Sequence, residues 1–369
     1  MSLSTPLTRL LGMKHPIISA GMYIAGGPEL VAAVSNAGGL GVIGGLYFTP
    51  EELRTAIREV TVVQPIRYPR AESQSSNLSS SPVGGSARKT NWDYTQGKLD
   101  ELIDIVVGSG AKLFVSAVGV APKDVVDKLH ANGILYMNLV GHPKHVAKAC
   151  AAGADIICAQ GSEAGGHTGE IPTSILLPAC AGLVQSYKSP LTGQPVQLVA
   201  AGGICDGRGV AASFMYGASA VWIGTRFVTA KESSALEESK RAVIEAGFDS
   251  TIRSSIWTGR PLRAAATCYI RNWEHDRKDE LQELLSRGII PMDHEAATFS
   301  NSGGLPEDIA KQSAMRPMGM ASGLIDKEGQ SAAEIIEDMV AEAVESLNGA
   351  SSVLVKSDCG QWRDDQLLS

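Results

Sequence analysis

The feature that most constrains the fold of this chain is a repeated alternation between short apolar segments and helical segments. The apolar segments lack polar alternation, which is typical of strands buried on both faces of a parallel sheet. Seven such strands are predicted, at residues 16–20, 41–44, 112–117, 134–139, 155–160, 196–201 and 220–224. Helical patterns lie between them, at residues 28–37, 50–60, 97–109, 122–131, 143–151 and 207–216. Strands and helices in this order predict an α/β fold, namely a TIM (β/α)8 barrel.

The third strand of that barrel is the weak point of the prediction. Residues 63–88 contain the run SQSSNLSSS, which has almost no apolar side chains and is not expected to form a buried strand. We therefore expect the third strand to be atypical or missing, with residues 63–88 irregular, disordered or replacing it. A barrel without an interior strand exposes two sheet edges, so either residues 60–68 take its place or the barrel stays open.

The chain changes character after Arg226. Amphipathic or charged helical patterns follow at residues 231–246, 275–287 and 332–347, while residues 257–273 are mixed and residues 300–320 are rich in loop formers. These patterns predict two parts: a barrel of residues 1–226 and a mainly helical part of residues 227–369 packed against it.

Charge and composition argue against several classes of protein. Thirty-nine acidic residues against 32 basic ones give a net charge of −7, so we expect no binding to nucleic acid or to a membrane surface. No apolar run approaches the ~20 residues of a membrane-spanning helix, and no secretory signal is evident. The six cysteines form no CxxC pair, which is typical of free thiols in a reducing compartment. We therefore expect a cytoplasmic protein.

The most informative segment for function is AQGSEAGGHTGEI at residues 159–171, which follows a predicted strand. The carboxyl ends of parallel strands are where such folds bind ligands. Gln160 can donate and accept hydrogen bonds, and Gly165 and Gly166 permit close approach of the backbone. His167 lies in this loop, where a histidine can act as a general base near neutral pH. The alternative is a solvent-exposed loop histidine.

Two later strand ends carry the pattern of a phosphate site. Gly202 and Gly203 follow one predicted strand, and Gly224 and Thr225 follow the next. In barrels, the loops after the seventh and eighth strands commonly bind phosphate through backbone N–H groups. Each pair by itself is also compatible with an ordinary strand-to-helix turn. Together and in this order they predict a cofactor that carries a phosphate.

Two further patterns give weaker signals. Ala20, Gly21 and Met22 end the first predicted strand and could lay backbone against a flat ring, although small residues there often serve packing only. His142 and His145 are three residues apart near another strand end. A zinc site needs a third ligand at hand, and none is evident, so no metal is predicted.

Charged residues near these loops have structural alternatives. Glu163 and Glu170 flank the histidine and are expected to be solvated loop residues rather than an acid/base pair. Arg260 and Arg263 could hold an anionic substrate, but a structural salt bridge is the favoured interpretation. Neither GxGxxG nor GxxxxGK[ST] occurs in a strand-to-helix context, so a Rossmann or P-loop site has no support.

Several of these motifs together resemble one known family. PIISAGM, AQGSEAGGHTG, VAAGGICDGRG and WIGTRF, with VGHPKHV and TGRPLR, are similar to the nitronate monooxygenase family, formerly called 2-nitropropane dioxygenases. The similarity covers nearly the whole chain. It implies a TIM barrel that binds FMN, with a smaller helical part. It also implies oxidation of alkyl nitronates by O2 to carbonyl compounds and nitrite.

The resemblance further implies roles for individual residues. His167 matches the active-site histidine, which removes the α-proton in members that accept neutral nitroalkanes. The residues expected to bind FMN are Ala20, Gly21 and Met22 at the isoalloxazine ring, Gln160 with Gly165 and Gly166, and Gly202, Gly203, Gly224 and Thr225 at the phosphate. The expected partners are a small-molecule nitronate and O2, without nucleic acid, membrane or metal. Whether the chain is a monomer or a homodimer stays open.

The sequence departs from the family pattern at the third strand. Members carry a strand of the type PFGV[ND], whose last residue contacts the flavin, and PRAESQSSNLSSS stands in its place here. No residue of this chain is expected to inherit that contact. Two alternatives therefore stay open. One is a flavin-dependent enoyl reductase of the same superfamily, which consumes NAD(P)H. The other is a flavin-free inactive form caused by the altered segment.

Overall fold

The strands form two sheets. The computed structural model describes residues 3–45, 47–62, 75–78, 95–117, 119–299 and 304–353. In chain order its strands are β1 (Ile17–Ser19), β2 (Val42–Gly44), β3 (Ser75–Leu78), β4 (Leu113–Ser116), β5 (Leu135–Val140), β6 (Ile156–Gln160), β7 (Gly166–His167), β8 (Gln197–Ala201), β9 (Ala220–Ile223), β10 (Thr251–Ser254) and β11 (Leu262–Ala265). All seven barrel strands predicted from the sequence are present.

The larger sheet closes into a barrel. Its eight strands pair in parallel, in the order β1-β9-β8-β6-β5-β4-β3-β2. The two ends of this row meet where Ser19 N donates to Leu40 O at 2.9 Å and Leu40 N donates to Ile17 O at 2.9 Å. Each strand of this sheet therefore pairs with the barrel strands that precede and follow it along the chain, as in a TIM barrel. β7 belongs to the other sheet and is not counted here. The predicted fold class is confirmed.

The third strand is atypical, but it is present. β3 pairs with β2 at Val42↔Ser75 and with β4 at Leu78↔Ser116. The expectation that the Ser-rich run could not form an interior strand was wrong, because the ladder is made by backbone groups that every residue carries. Residues 60–62 do not replace the strand, since they end a helix. The rest of residues 63–88 lies outside the described part of the chain.

Helices surround the barrel and continue beyond it. The α-helices of the described residues are α1 (Pro6–Leu11), α2 (Pro28–Asn36), α3 (Pro50–Val62), α4 (Leu99–Gly108), α5 (Lys123–Ala131), α6 (Val146–Ala151), α7 (Thr173–Val184), α8 (Gly207–Met215), α9 (Thr225–Val228), α10 (Glu237–Ile244), α11 (Cys268–His275), α12 (Lys278–Ser286), α13 (Pro291–Phe299), α14 (Glu307–Ser313) and α15 (Ala332–Ser351). Short 3-10 helices lie at Pro143–His145 and Met320–Leu324. The sequence did not predict α7, because it lacks a polar face and contains Pro178.

Side chains on the strands alternate between two apolar clusters. Leu135, Met137 and Cys158 belong to a cluster built from strand residues and α1, which fills the barrel interior. Phe114 and Tyr136, one residue out of step, belong to the cluster shared with the surrounding helices. The period of two follows from the pleat of a strand. Both clusters are buried, which is why the strands are apolar throughout.

The last helix packs on the barrel. Five of the seven side chains predicted to form the apolar face of α15 are buried, at Ile335, Ile336, Met339, Val340 and Ala343. The other two, Val344 and Leu347, are half-buried. This face lies against α2 and α8. The stretch between β9 and α15 is mainly helical, as predicted, but it also contributes β10 and β11. The two-part division at residue 226 stays a prediction.

Five cysteines in the described ranges are free thiols, at positions 150, 158, 180, 205 and 268. Over the same ranges, no helix has both the length and the hydropathy needed to cross a membrane.

Candidate active site

A large cavity lies at the carboxyl ends of the barrel strands. Its volume is about 1020 Å³, which is at the upper end of the range for small-molecule sites. All eleven residues selected from the sequence line it: Ala20, Gly21, Met22, Gln160, Gly165, Gly166, His167, Gly202, Gly203, Gly224 and Thr225. The structure therefore brings together residues that come from four different strand ends.

The loop that carries His167 is held by a small second sheet. β7 pairs with β11 in antiparallel fashion at Leu262↔His167 and Arg263↔Gly166, and β11 pairs with β10. From the other side, Nε2 of Gln160 donates to the backbone carbonyl of His167 at 2.6 Å. The backbone of His167 is thus fixed from both the barrel and the 251–265 hairpin.

The imidazole of His167 is half-buried and has a defined partner. Nε2 lies 2.9 Å from Oγ1 of Thr258. Burial, and then the positive charge of Arg260, lower the pKa of His167 from 6.5 to about 4. The ring is therefore neutral at pH 7 and can accept a proton. The alternative of a solvent-exposed loop histidine does not describe this environment.

The Gly202–Gly203 turn forms a cradle of backbone groups. Both residues have positive φ, 89° and 76°, a conformation that favours glycine. Thr173 Oγ1 donates to Gly202 O at 2.9 Å and so fixes the turn. In the described part of the chain, the amides of Gly203 and Gly224 have no acceptor within the protein. Unpaired amides at this edge of a barrel fit a phosphate group.

The segment around Gly319 encloses the site from the C-terminal side. A Cβ on Gly165 would lie only 2.7 Å from the backbone carbon of Met318, so this glycine permits two backbones to touch. Gly319 N donates to Thr225 Oγ1 at 2.9 Å, and Met320 N donates to Glu163 O at 2.9 Å. Gly165 and Thr225 thus have packing roles in addition to lining the cavity.

The charged residues near the histidine mostly stabilise loops. The carboxylate of Glu163 accepts from Thr173 N at 3.0 Å and so caps the start of α7, whereas Glu170 lies 3.9 Å from Arg253. Arg263 donates from Nε to Ser162 O at 3.0 Å and from Nη1 to Thr251 Oγ1 at 3.0 Å. The predicted salt bridge of Arg263 is therefore wrong, because the partners of this guanidinium are a carbonyl and a hydroxyl oxygen and not a carboxylate. Arg260 instead lines the cavity.

Some lining residues were not selected from the sequence. Thr258 was missed because nothing in the sequence brings it near His167, and Lys144 was missed as well. His142 and His145 were considered only as metal ligands. No cluster of three or more His, Cys, Asp or Glu side chains suited to a metal occurs among the described residues.

The family model for nitronate monooxygenase matches residues 4–342 of this chain. The chain belongs to the nitronate monooxygenase family. A probable nitronate monooxygenase of Staphylococcus saprophyticus is 33% identical, over 77% of this chain and 84% of that protein.

The chain is also similar to proteins with other names. The (3aS,4S,5R,7aS)-5-hydroxy-7a-methyl-1-oxo-octahydro-1H-indene-4-carboxyl-CoA dehydrogenase of Mycobacterium tuberculosis is 30% identical, over 96% of this chain and 100% of that protein. FabK from Thermotoga maritima superposes with a TM-score of 0.74 at 28% identity, covering 95% of this chain and 100% of that one. Nitroalkane oxidase from Streptomyces ansochromogenes has a TM-score of 0.72 at 23% identity, covering 93% and 99%, and supports the fold alone.

Membership in the nitronate monooxygenase family makes this chain a flavin-dependent oxidoreductase. The relatives of comparable similarity have names that describe different reactions.

Proposed function

We propose that this protein is an FMN-dependent nitronate monooxygenase, which oxidises alkyl nitronates with O2 to carbonyl compounds and nitrite. The observation that carries the proposal is the convergence of the eleven selected residues on one cavity, among them a histidine that is neutral at pH 7. Family membership supports it. The free thiols support a reducing compartment such as the cytoplasm.

The residues present fit a flavin mononucleotide. The unpaired amides of Gly203 and Gly224 would hold its phosphate, and Met22 and Gln160 would lie at its ring. FMN supplies the redox chemistry when it is bound, and the protein orients it and limits access of water. Because Gly202 and Gly203 already have the conformation that the cradle requires, binding need not rearrange this turn.

His167 would act as the base for neutral nitroalkanes. The hydroxyl of Thr258 donates to Arg260 O at 3.3 Å and can therefore accept from Nε2–H of His167. This arrangement leaves Nδ1 as the unprotonated nitrogen. Thr258 is thus a positioning residue that sets the tautomer. A preformed nitronate has already lost its α-proton and does not need this step.

Arg260 would stabilise the negative charge that develops when the α-proton is removed. Its charge acts on His167, as the lowered pKa of that ring shows, and its side chain lines the same cavity. A fixed positive charge beside the site of proton removal favours an anionic product over a neutral substrate.

The first experiment is the visible absorbance spectrum of the purified protein, followed by release and mass determination of the chromophore. The second is oxygen uptake and nitrite formation with a neutral nitroalkane and with its preformed nitronate. Replacing His167 by Ala should lower kcat/KM for the nitroalkane by about 10²-fold or more and change that for the nitronate far less. Replacing the exposed His294 should change neither.

Equal losses on both substrates would rule out the base role of His167. A protein that stays colourless after mixing with FMN would favour the flavin-free alternative.

A second candidate function is reduction or oxidation of a thioester with a nicotinamide cofactor. It is favoured by the carboxyl-CoA dehydrogenase relative, which matches nearly the whole chain, and by the size of the cavity. Oxidation of NADPH that depends on an enoyl thioester, without nitrite formation from nitronates, would favour this candidate over the first.

A further inference from the structure

A group of basic residues at the cavity has no role in the proposed nitronate reaction. His142, Lys144 and His145 follow β5, and all three line the cavity; we refer to them as the β5 basic group. The rings of His142 and His145 lie 5.8 Å apart. Lys144 N donates to Nδ1 of His142 at 3.1 Å. In its neutral form His142 therefore carries its proton on Nε2, which can donate to an anion.

The β5 basic group stands beside the loop that carries His167. A Cβ on Gly169 would lie 2.4 Å from Gly141 O, so the loops after β5 and β6 touch at these two glycines. His142 directly follows one of them, and His167 is two residues before the other. A ligand bound at the basic group would thus reach the region of the catalytic histidine.

The charges at this place are not neutralised by the protein. The ion pairs of the described residues include none of His142, Lys144 and His145. Burial, followed by the charges of Lys144, His142 and Lys148, lowers the pKa of His145. His145 is therefore neutral at pH 7, and the positive charge of the group is that of Lys144. The charge of Lys144 lines the cavity of a chain whose net charge is −7, and it attracts anions to that cavity.

Other lining residues form an apolar surface. Five of them are large hydrophobic side chains that are 41% to 62% exposed: Tyr23, Ile24, Tyr47, Leu236 and Met315. The cavity therefore suits a ligand that has both an anionic end and an apolar portion. A short alkyl nitronate needs neither three basic residues nor an apolar surface of this extent.

We propose that the β5 basic group binds the phosphate of an organic ligand other than the flavin, so that a substrate or co-substrate of this enzyme is a phosphorylated compound with an apolar part. The inference rests on the active site proposed above, but not on nitronates as the substrate. A coenzyme A thioester and a nicotinamide dinucleotide share the required diphosphate chemistry.

The test measures binding of coenzyme A and of NADPH to the holoenzyme by calorimetry, for the wild type and two variants. Lys144→Ala removes a cation that lines the cavity, whereas Lys148→Ala removes another exposed lysine of the same segment that does not line it. We expect Lys144→Ala to weaken binding of at least one probe by about tenfold or more, as for loss of a charged hydrogen bond. Lys148→Ala should weaken it less than about twofold.

Binding of coenzyme A or of NADPH that depends on Lys144 supports the proposal and identifies the source of the phosphate. No binding of either probe by the wild type, or equal losses in the two variants, overturns it. Nitrite formation from nitronates by the wild type is measured separately. The proposed function and the phosphate subsite can therefore fail independently.

Discussion

The pKa of His167 provides the sharpest prediction about this protein. Burial and the charge of Arg260 lower it from 6.5 to about 4. A pKa of about 4 in place of 6.5 corresponds to about 3 kcal/mol against the protonated ring. Because the folded protein binds this proton less readily than the unfolded chain, the shift lowers stability as the pH falls from 6.5 towards 4. Above pH 6.5 neither state binds the proton and the full stability is present.

The measurement is an NMR titration of the imidazole signals, in which His167 is identified by the signal that is lost in His167→Gln. The catalytic counterpart is kcat/KM for a neutral nitroalkane as a function of pH. An ordinary histidine would be only about one-tenth neutral at pH 5.5, so its rate would fall about tenfold between pH 7.5 and pH 5.5. With His167 the rate should stay nearly constant to about pH 5.

Two variants separate the causes of this shift. Arg260→Met removes the smaller cause, so the pKa should rise but stay below 6.5, because burial remains. Arg287→Met, at a surface arginine paired with Glu283, should leave the pKa unchanged. A wild-type pKa near 6.5 would refute the reasoning. A complete return to 6.5 in Arg260→Met would show that charge and not burial is the main cause.

Two further predictions concern stability and flavin binding. The fully buried carboxylate of Asp155 accepts from Tyr136 N at 2.7 Å and Ser189 Oγ at 2.6 Å and lies 2.9 Å from His130 Nε2. Asp155→Ala should therefore lower the free energy of unfolding by about 3–5 kcal/mol in denaturant titrations, against at most about 1 kcal/mol for the exposed Asp124→Ala. Gly202→Ala forces a Cβ onto a residue with φ 89° and within 3.0 Å of Gly161 O. Gly202→Ala should therefore lower the free energy of unfolding by about 1–2 kcal/mol and reduce the flavin content of the purified protein. A Cβ at Gly182 in α7 meets open space, so Gly182→Ala should leave the free energy of unfolding unchanged or raise it. If Asp155→Ala destabilised the protein no more than Asp124→Ala, the structural role of Asp155 would be wrong. If Gly202→Ala and Gly182→Ala had similar effects, the role given to the Gly202 turn would be wrong.

The sequence predicted most of the barrel because its strands are buried on both faces and must be apolar throughout. It did not predict β3, whose residues Ser75–Leu78 are mostly polar, because this strand is defined by backbone pairing with β2 and β4. It also did not predict β7, β10 and β11. A two-residue strand such as Gly166–His167 exists only because β11 arrives from far along the chain to pair with it.

The sequence could predict those residues of the candidate site that follow directly after a strand. Gly202, Gly203, Gly224 and His167 each follow an apolar run, and parallel strands bring such ends to one edge of the barrel. Thr258 and Arg260 do not follow a barrel strand, because they lie in the turn of the 251–265 hairpin. Their effect on His167 depends on where that hairpin packs.

The sequence by itself determined the barrel, the edge at which its ligands bind and the glycines and histidine that line that edge, because these depend on local apolar patterns and on chain direction. Only the tertiary structure decided the protonation of His167, the closure of the barrel through β3 and the placing of the β5 basic group on the same cavity. These properties arise from burial and from charges brought close by segments that are distant in sequence. No local pattern encodes such distances.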